Sequence, residues 1–403
     1  MKIVIDVKLE IEVKNCNLSH LSKVFLLSLG SVFSQIISQA LRCYAESYKG
    51  NGELAAMLEH SGKISWKTLN GKLSTTIHTL FGKIKIPQLQ VYLHQADGSK
   101  KVKNVTRLLL GVSPYQRIPD YVKEMMGLLS SLCSYRAAQS CMTILGWWKF
   151  GYGSFRRATN WLSNKLDLGL STQGTTEFVA DGTGIGTLKT GKRGSELKVL
   201  AQYCKDGSLH LVNIGIGKYM SKDGWISLFA PIRAAFEGEQ AKSLSVLMDG
   251  CKSILSGAKS VHQRIKIQRD IWHICHQLKY YMWKDKVSKL HKIALIKNVF
   301  KAVSLTWYRP KEECLEMMAS AILFCDRQKY KYCQSYLMGC SEHLFTFEKE
   351  QLTHNNSSKV ERMMRTVNQR MDIGVWTDNG ALAVAKIRLA YFYNGWRLSL
   401  IHI

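Results

Sequence analysis

The feature that most constrains the fold is an alternation of strand and helix patterns between residues 175 and 270. Five short apolar segments have the length and composition of buried strands, and they are Glu177–Asp181, Glu196–Tyr203, Leu209–Ile216, Ser243–Asp249 and Arg264–Gln268. An Asp-Gly turn at Asp206 and Gly207 joins the second to the third and predicts an antiparallel hairpin. A helical pattern over Trp225–Phe236 precedes the fourth, and Gly250 opens another helix. This order predicts an α/β fold with a mixed sheet.

The rest of the chain changes character at recognisable points and predicts five segments. A strand and then a helix from about Leu21 to Tyr48 occupy the N-terminal part, and the next part is rich in Thr, Ile, Val and aromatic residues. The predicted organisation is 1–58 strand and helix, 59–105 strand-rich, 106–170 helical, 171–270 with 357–400 the α/β core, and 271–356 an all-helical insertion.

The charge balance indicates a polyanionic partner. Lys and Arg number 56 against 30 Asp and Glu, a formal charge of +26, which favours nucleic acid over an anionic membrane surface. Three short helices between Pro119 and Lys165, with Ser134 and Ser154 as predicted N-caps, resemble a helix-turn-helix unit. Arg156 and Arg157 on the third helix are then DNA-binding candidates. The alternative is an ordinary helical linker with a solvated basic face.

Cysteine usage and hydropathy predict a soluble protein of a reducing compartment. The 11 cysteines include no CxxC pair, so we expect reduced, buried thiols rather than disulfides. The start MKIVIDVKLEIEVK lacks the pattern of a signal peptide. The apolar stretch Val24–Leu41 is interrupted by Ser and Gln at helical spacing, which indicates an amphipathic helix.

The stretch FVADGTGIG, residues 178–186, combines an aspartate with three glycines. It lacks the third glycine of a dinucleotide-binding fingerprint, and the next predicted element is a strand, so a phosphate-binding loop is disfavoured. Asp181 is the candidate instead. Asp181 and Asp249 are both predicted at the C-terminal ends of strands and both precede glycine. Two carboxylates brought together in this way require a cation, and Mg²⁺ prefers such hard oxygen ligands.

A third acid is expected from a helix that packs on the sheet, and the candidate is Glu361. On a helix beginning near Ser358, Glu361, Arg365 and Asn368 share one face. Together with Lys359 and Arg362, Arg365 would suit a phosphate backbone. The alternative is a capping box, Ser358-x-x-Glu361, in which the glutamate only caps the helix. Asp372 and Asp378 are weaker candidates because they lie in or next to a turn.

The order Asp181, Asp249, Glu361, with Asp270-x-x-His273 after the fifth strand, resembles the Mutator-like group of bacterial insertion-sequence DDE transposases. The strand-rich segment Thr79-Leu-Phe-Gly-Lys-Ile-Lys-Ile86 strengthens the resemblance. It implies a ribonuclease H-like catalytic core in which Asp181, Asp249 and Glu361 bind two Mg²⁺ or Mn²⁺ ions. It also implies that Asp270 and His273 lie near the active site, in a role that the sequence does not assign.

The resemblance further implies DNA 3′-end cleavage and strand transfer of an insertion sequence. Its partners would be double-stranded DNA, as terminal inverted repeats and target, and further copies in a homodimer or larger oligomer. The expected location is the bacterial cytoplasm, in association with the nucleoid. A catalytically inactive or domesticated DNA-binding protein of the same fold, and another ribonuclease H-like nuclease, stay open. A zinc site at His273, Cys275 and His276 is disfavoured because no second ligand pair follows at suitable spacing.

Overall fold

A computed structural model describes most of the chain as two compact units. The described residues are 28–29, 31–40, 43, 53–67, 74–79, 82–109, 118–144, 150–189, 191–304, 311–354 and 356–396. The first unit comprises Met1–Trp161 with Leu398–Ile403, and the second comprises Leu162–Arg397. The predicted N-terminal strand lies outside the described residues, as does much of the predicted helix from Leu21 to Tyr48, although residues 31–40 are helical.

The first unit begins with the predicted strand-rich segment. Its elements are α1 (Glu53–Met57), β1 (Ile64–Lys67), β2 (Ser74–Thr79), β3 (Gly82–Pro87), β4 (Gln90–His94), β5 (Lys100–Asn104) and α2 (Thr106–Leu109). Strands β1, β4 and β5 form an antiparallel sheet, and β2 pairs with β3 in a separate hairpin. The prediction of short antiparallel strands is confirmed.

Three helices follow, as predicted: α3 (Asp120–Leu132), α4 (Tyr135–Ile144) and α5 (Tyr152–Lys165). Ser134 caps α4, because its hydroxyl accepts a hydrogen bond from the Ala137 amide. The predicted cap at Ser154 is wrong. The Ser154 amide already bonds to the Gly151 carbonyl, so Ser154 lies within the first turn of α5. Its hydroxyl instead accepts a hydrogen bond from Arg157.

The second unit contains a five-stranded mixed sheet. The strands are β6 (Gly174–Thr187), β7 (Gly191–Cys204), β8 (Leu209–Lys218), β9 (Ser245–Met248) and β10 (Lys266–Arg269), in the order β10-β9-β6-β7-β8. Strands β6, β7 and β8 are antiparallel, whereas β9 runs parallel to both β6 and β10. Gly207, with φ of +76°, closes the predicted β7–β8 turn. The prediction of a mixed α/β sheet is confirmed.

Helices connect and flank these strands. They are α6 (Lys222–Leu228), α7 (Ala230–Ala235), α8 (Gly238–Ser243), α9 (Lys252–Lys259), α10 (Ile271–Lys284), α11 (Lys289–Ser304), α12 (Lys311–Arg327), α13 (Lys331–Ser341), α14 (Thr346–Lys349), α15 (Ser358–Met371) and α16 (Asp378–Tyr393). The predicted helical stretch Trp225–Phe236 is confirmed, although it is divided into two helices that meet at Phe229. Pro231, in the first turn of α7, lacks the amide hydrogen that a continuous helix needs.

The two faces of the sheet bury different residues because side chains alternate along each strand. On one face, Val179 and Leu247 pack with the buried residues of α15 and α16. On the other face, Phe178 and Val246 pack against Trp225 and the helices that follow β8. Helices α10–α14 have a separate core of their own. The sheet is therefore covered on both sides, and α15 lies over the face that carries Val179.

The structure also tests the predictions that the chain lacks a membrane span and that its cysteines are buried. Within the described part of the chain, no helix is both long enough and apolar enough to cross a membrane. Four cysteines are buried in the core of α10–α14, namely Cys314, Cys325, Cys333 and Cys340. The prediction of buried thiols is wrong for Cys43, which is exposed, and for Cys141, which is exposed on α4. Its neighbours on α4, Ala138 and Met142, occupy the buried face instead.

Candidate active site

The parallel strands place three aspartates in one row. Ala180 of β6 is in register with Met248 of β9, which is in register with Arg269 of β10. The next residues are Asp181, Asp249 and Asp270. By strand alternation each aspartate belongs to the same sheet face as Val179 and Leu247, the face that α15 covers. The sheet thus brings together the two acids predicted as metal ligands and the aspartate of the Asp-x-x-His segment.

The prediction that Asp181 ends its strand is wrong. Strand β6 continues to Thr187, and Asp181 itself pairs with Val199 of β7. The pairing between β6 and β9, however, ends at Ala180. Asp181 therefore lies where the parallel part of the sheet stops and only the antiparallel partner continues. At this end of the β6–β9 pairing, the carboxylate of Asp181 lies next to Asp249.

The environment of Asp181 opposes a negative charge. Burial, followed by the charge of Asp249 and a smaller effect of Glu361, raises the pKa of Asp181 to about 7. The Gly182 amide donates a hydrogen bond of 2.8 Å to Oδ1 and partly offsets this effect. A buried carboxyl group whose ionisation is disfavoured beside a second carboxylate is suited to a bound cation.

Asp249 is held by the turn that follows β9 and by a helix of the α10–α14 segment. Its Oδ1 accepts a 2.7 Å bond from the Cys251 amide, and its Oδ2 accepts a 3.3 Å bond from Gln277 Nε2 of α10. Gly250 has φ of +90°, a backbone conformation that other residues rarely adopt, and it lies against the guanidinium of Arg269. The glycine after Asp249 is thus a requirement of the backbone conformation.

Glu361 lies in the first turn of α15 and faces the same site. Its Oε1 is 3.9 Å from His273 Nε2, and its Oε2 is 3.8 Å from Arg365 Nη2. The capping box proposed as an alternative does not form, because α15 begins one residue earlier, with Ser357 as a cap that makes no side-chain bond to the helix. Within the described structure, the side chain of Glu361 is directed to His273 and Arg365.

Asp270, to which the sequence assigned no role, is a hydrogen-bond acceptor that links three parts of the site. It caps α10 by accepting a bond from the Trp272 amide, and its Oδ2 accepts bonds from His273 Nδ1 at 2.9 Å and from the Ser357 amide at 3.0 Å. The Ser357 hydroxyl also donates to it. Burial alone would raise the pKa of Asp270, but these hydrogen bonds hold it below its usual range. Asp270 therefore joins α10 to the start of α15.

His273 connects Asp270 to Glu361. Its hydrogen bond to Asp270 raises its pKa to about 9 against the opposing effect of burial, and the charges of Asp181 and Asp249 add to the rise. The imidazole is therefore positively charged at neutral pH. With Nδ1 held by Asp270, its Nε2 is presented toward Glu361.

Asp181, Asp249 and Glu361 offer the carboxylate oxygens that a hard divalent cation prefers, and burial, followed by the charge of Asp249, raises the pKa of Asp181. Ligand atoms of Asp270, His273 and Glu361 also lie within 4.8 Å of one another. Both oxygens of Asp270 already accept protein hydrogen bonds, however, and His273 is protonated. In the described part of the chain no such group of ligand atoms includes Asp181 or Asp249, so the role of Asp181, Asp249 and Glu361 as metal ligands stays a prediction.

The predicted DNA-binding residues are exposed. In the second unit these are Lys359, Arg362 and Arg365, of which Lys359 donates to the Gly207 carbonyl and Arg365 is the partner of Glu361. In the first unit, Arg156 and Arg157 lie on the solvent side of α5. Of the residues considered for zinc, Cys275 packs against the core of α10–α14 and His276 is exposed.

Gln277 is a site residue that the sequence analysis missed. Its Oε1 accepts bonds from Arg269 Nη2 and Tyr336 Oη, both at 3.2 Å, so its amide hydrogens are directed to Asp249. Its position four residues after His273 puts both on one side of α10, which is the only signal the sequence offered. Tyr336 lies on α13, so its hydrogen bond to Gln277 depends on the packing of α13 against α10.

Because Asp249 is a candidate metal ligand, we expect Gln277→Leu to weaken Mn²⁺ binding by about ten- to a hundred-fold, the usual effect of removing a residue that orients a metal ligand. The shape of the side chain is nearly kept, but Asp249 loses a donor. Electron paramagnetic resonance of bound Mn²⁺ measures the effect directly.

Gln334→Leu is the matched control, because Gln334 also donates to an aspartate, Asp326, at 3.0 Å but on an exposed part of α13. It should leave Mn²⁺ binding unchanged. If Gln277→Leu binds Mn²⁺ as the wild type does and only melts at a lower temperature, the residue serves the packing of α10 against α13 and does not position Asp249.

Comparison of the chain with protein-family models gave no match. Comparison with curated proteins likewise gave no similar sequence.

Proposed function

We propose that the chain is a metal-dependent DDE transposase that cleaves the 3′ ends of an insertion sequence and transfers them to target DNA. The observation that carries the proposal is the register of β6 and β9, which sets Asp181 beside Asp249, with Glu361 on the helix that packs over them. The basic chain, with a formal charge of +26, suits a DNA substrate.

The topology supports a ribonuclease H-like core. Three consecutive antiparallel strands are followed by two strands parallel to the first, in the order β10-β9-β6-β7-β8. Helices cover both faces. The helical segment between β10 and α15 has its own core, which suits an insertion into such a fold.

The residues of the candidate site have different proposed roles. Asp181, Asp249 and Glu361 would hold two Mg²⁺ or Mn²⁺ ions, which when bound supply a Lewis acid for in-line phosphoryl transfer. The hydrogen bond to Asp270 orients His273 and raises its pKa, so that His273, beside Glu361, would offer a positive charge to a substrate phosphate. Arg365 and Arg362, exposed on α15, would bind the DNA backbone.

The test of the function is a cleavage and joining assay on DNA that carries the ends of the element encoding the chain. We expect nicks at the 3′ ends and joined products with Mg²⁺, and neither with EDTA. A folded protein that binds this DNA but gives no metal-dependent product would instead be a DNA-binding protein without catalysis. Cleavage without joining would indicate a nuclease.

Glu361→Gln tests the third acid separately. We expect a loss of cleavage of about a hundred-fold or more, because a neutral amide is a poor ligand for a hard cation. The melting temperature should stay close to that of the wild type, because Glu361 does not cap α15. Retained cleavage with a lower melting temperature would contradict the assignment of Glu361 as a catalytic residue.

A further inference from the structure

Helix α10 presents a stripe of large aromatic side chains to solvent. Trp272, Tyr280 and Trp283 are 40%, 55% and 70% exposed. Together with the exposed His276 they follow the spacing of one helix face, while Ile271, Ile274, Leu278 and Met282 form the buried face. At 1.5 Å per residue the stripe is about 16 Å long. We call Trp272, His276, Tyr280 and Trp283 the aromatic stripe.

The aromatic stripe begins at the candidate active site. Trp272 is adjacent in sequence to His273, whose Nε2 is directed to Glu361, and the Trp272 amide donates to Asp270. Phe300 of α11 extends the surface, with its ring centroid 5.9 Å from that of Trp272. A substrate strand that reaches the acids is therefore within reach of the stripe.

The surroundings of the stripe are cationic. Helices α10 and α11 contain six lysines and neither Asp nor Glu. Lys279 is exposed on the stripe's own face, and Lys284 places its ammonium 4.7 Å from the centre of the Tyr280 ring. The rings of Tyr280 and Trp283 stack at 6.2 Å with an angle of 24° between their planes. Flat aromatic surfaces thus alternate with positive charge.

The combination of exposed aromatic rings and lysines favours one class of binding partner over others. An exposed aromatic patch of this size marks an interaction surface. Lysine is depleted at the centre of protein interfaces, which disfavours a second copy of the chain. Aromatic rings interleaved with lysines are what single-stranded nucleic acid requires, because bases stack on the rings while the lysines follow the phosphates.

We propose that the aromatic stripe binds unpaired DNA bases next to the cleavage site. The inference rests on the proposed function in taking DNA as the substrate, but it concerns a surface separate from the three acids. Bases stack on Tyr280 and Trp283, and Lys279 and Lys284 neutralise the adjoining phosphates. The stripe thereby favours DNA whose strands are separated near the reacting phosphate.

The test uses the full chain and a fluorescein-labelled oligothymidylate of about fifteen nucleotides, within the usual site size of such surfaces. We expect Trp283→Ala to weaken binding about tenfold, because one stacked base is lost. Trp283→Phe should stay within about threefold. Binding to a duplex of the same length should change by less than about twofold, because its bases are already stacked.

Phe392→Ala is the control. Phe392 of α16 is 51% exposed and has the Arg388 guanidinium 5.4 Å from its ring, so it matches the chemistry of the stripe at another place. It should bind the oligothymidylate as the wild type does. Lys279→Gln should lower the dependence of binding on salt, which Trp283→Ala should leave unchanged.

Unchanged oligothymidylate binding by both Trp283→Ala and Tyr280→Ala overturns the proposal. If Trp283→Ala leaves binding unchanged but lowers the mass measured by light scattering, the stripe is an interface between copies. Failure of the proposed function is distinguishable, because it appears as absence of metal-dependent cleavage in the wild type.

Discussion

Asp181→Asn is expected to lower the rate of metal-dependent cleavage by roughly 10³-fold. In the proposed mechanism a cation at this site would contribute several kcal/mol to stabilising the transition state, and each 1.36 kcal/mol is a factor of ten in rate. The amide keeps the shape of the carboxylate, so the fold should survive. Single-turnover cleavage at saturating protein measures the chemical step directly.

The same substitution should make the metal-free protein more stable at alkaline pH. The pKa of Asp181 is raised from 3.8 to about 7, so the folded state holds this proton more tightly than the unfolded state. The stabilisation is fully present below about pH 4 and is lost as the pH rises to about 7 and beyond. Its full size is at most roughly 4 kcal/mol. Asn does not ionise, so the variant should lose this pH dependence.

Urea unfolding in EDTA at pH 5 and pH 8 measures this difference. The wild type should be less stable at pH 8 than at pH 5, and Asp181→Asn should show a smaller decrease. Added Mg²⁺ should stabilise the wild type at pH 8 and leave the variant nearly unchanged. Asp372→Asn, at an exposed aspartate after α15, is the control and should behave as the wild type in every respect. Equal pH dependence in both variants would contradict the assigned environment of Asp181.

Much of the sheet could be predicted, because the signals that form it are local. The strand patterns and the Asp-Gly turn gave the order of the five strands, and Asp181 and Asp249 stood out because each follows a buried segment. The length of β6 was underestimated because Gly182, Gly184 and Gly186 are atypical of a strand. The structure gives a reason for Gly182: a β-carbon there would lie 2.5 Å from Glu196 Oε1 on the neighbouring strand.

What the sequence did not reveal depends on contacts between distant segments. Asp270 accepts hydrogen bonds from Ser357, and Gln277 is held by Tyr336 on another helix. Neither pair has a local pattern, because the groups meet only when the α10–α14 segment has folded and α15 has packed on the sheet. The three acids were proposed from their order along the chain, whereas the residues that contact them could be identified only from coordinates.

Glu196→Ala is expected to destabilise the second unit by about 3–5 kcal/mol, the usual effect of breaking a buried ion pair from one side. Glu196 Oε2 lies 2.6 Å from Lys198 Nζ, and their side chains are only 6% and 2% exposed. Removal of the carboxylate leaves the ammonium with the Lys218 carbonyl at 3.1 Å and the Trp225 ring at 5.7 Å. It also leaves the Met220 amide without its acceptor.

Two further variants show whether the loss of stability comes from leaving a buried charge without its partner. One removes both charges of the pair, and the other breaks an exposed ion pair. Glu196→Leu combined with Lys198→Met removes both charges and should recover most of the lost stability, because an apolar pair of similar volume often replaces a buried ion pair without loss. Glu350→Ala breaks the pair with Lys266, in which both side chains are more than a quarter exposed, and should cost less than about 1 kcal/mol. Urea unfolding at pH 7 compares the three. If Glu196→Ala costs no more than Glu350→Ala, water reaches Lys198 and the β7 ion pair is not part of the core. A much larger cost for Glu196→Ala would confirm that the pair is buried, with the Glu196 side chain in the space that Gly182 leaves.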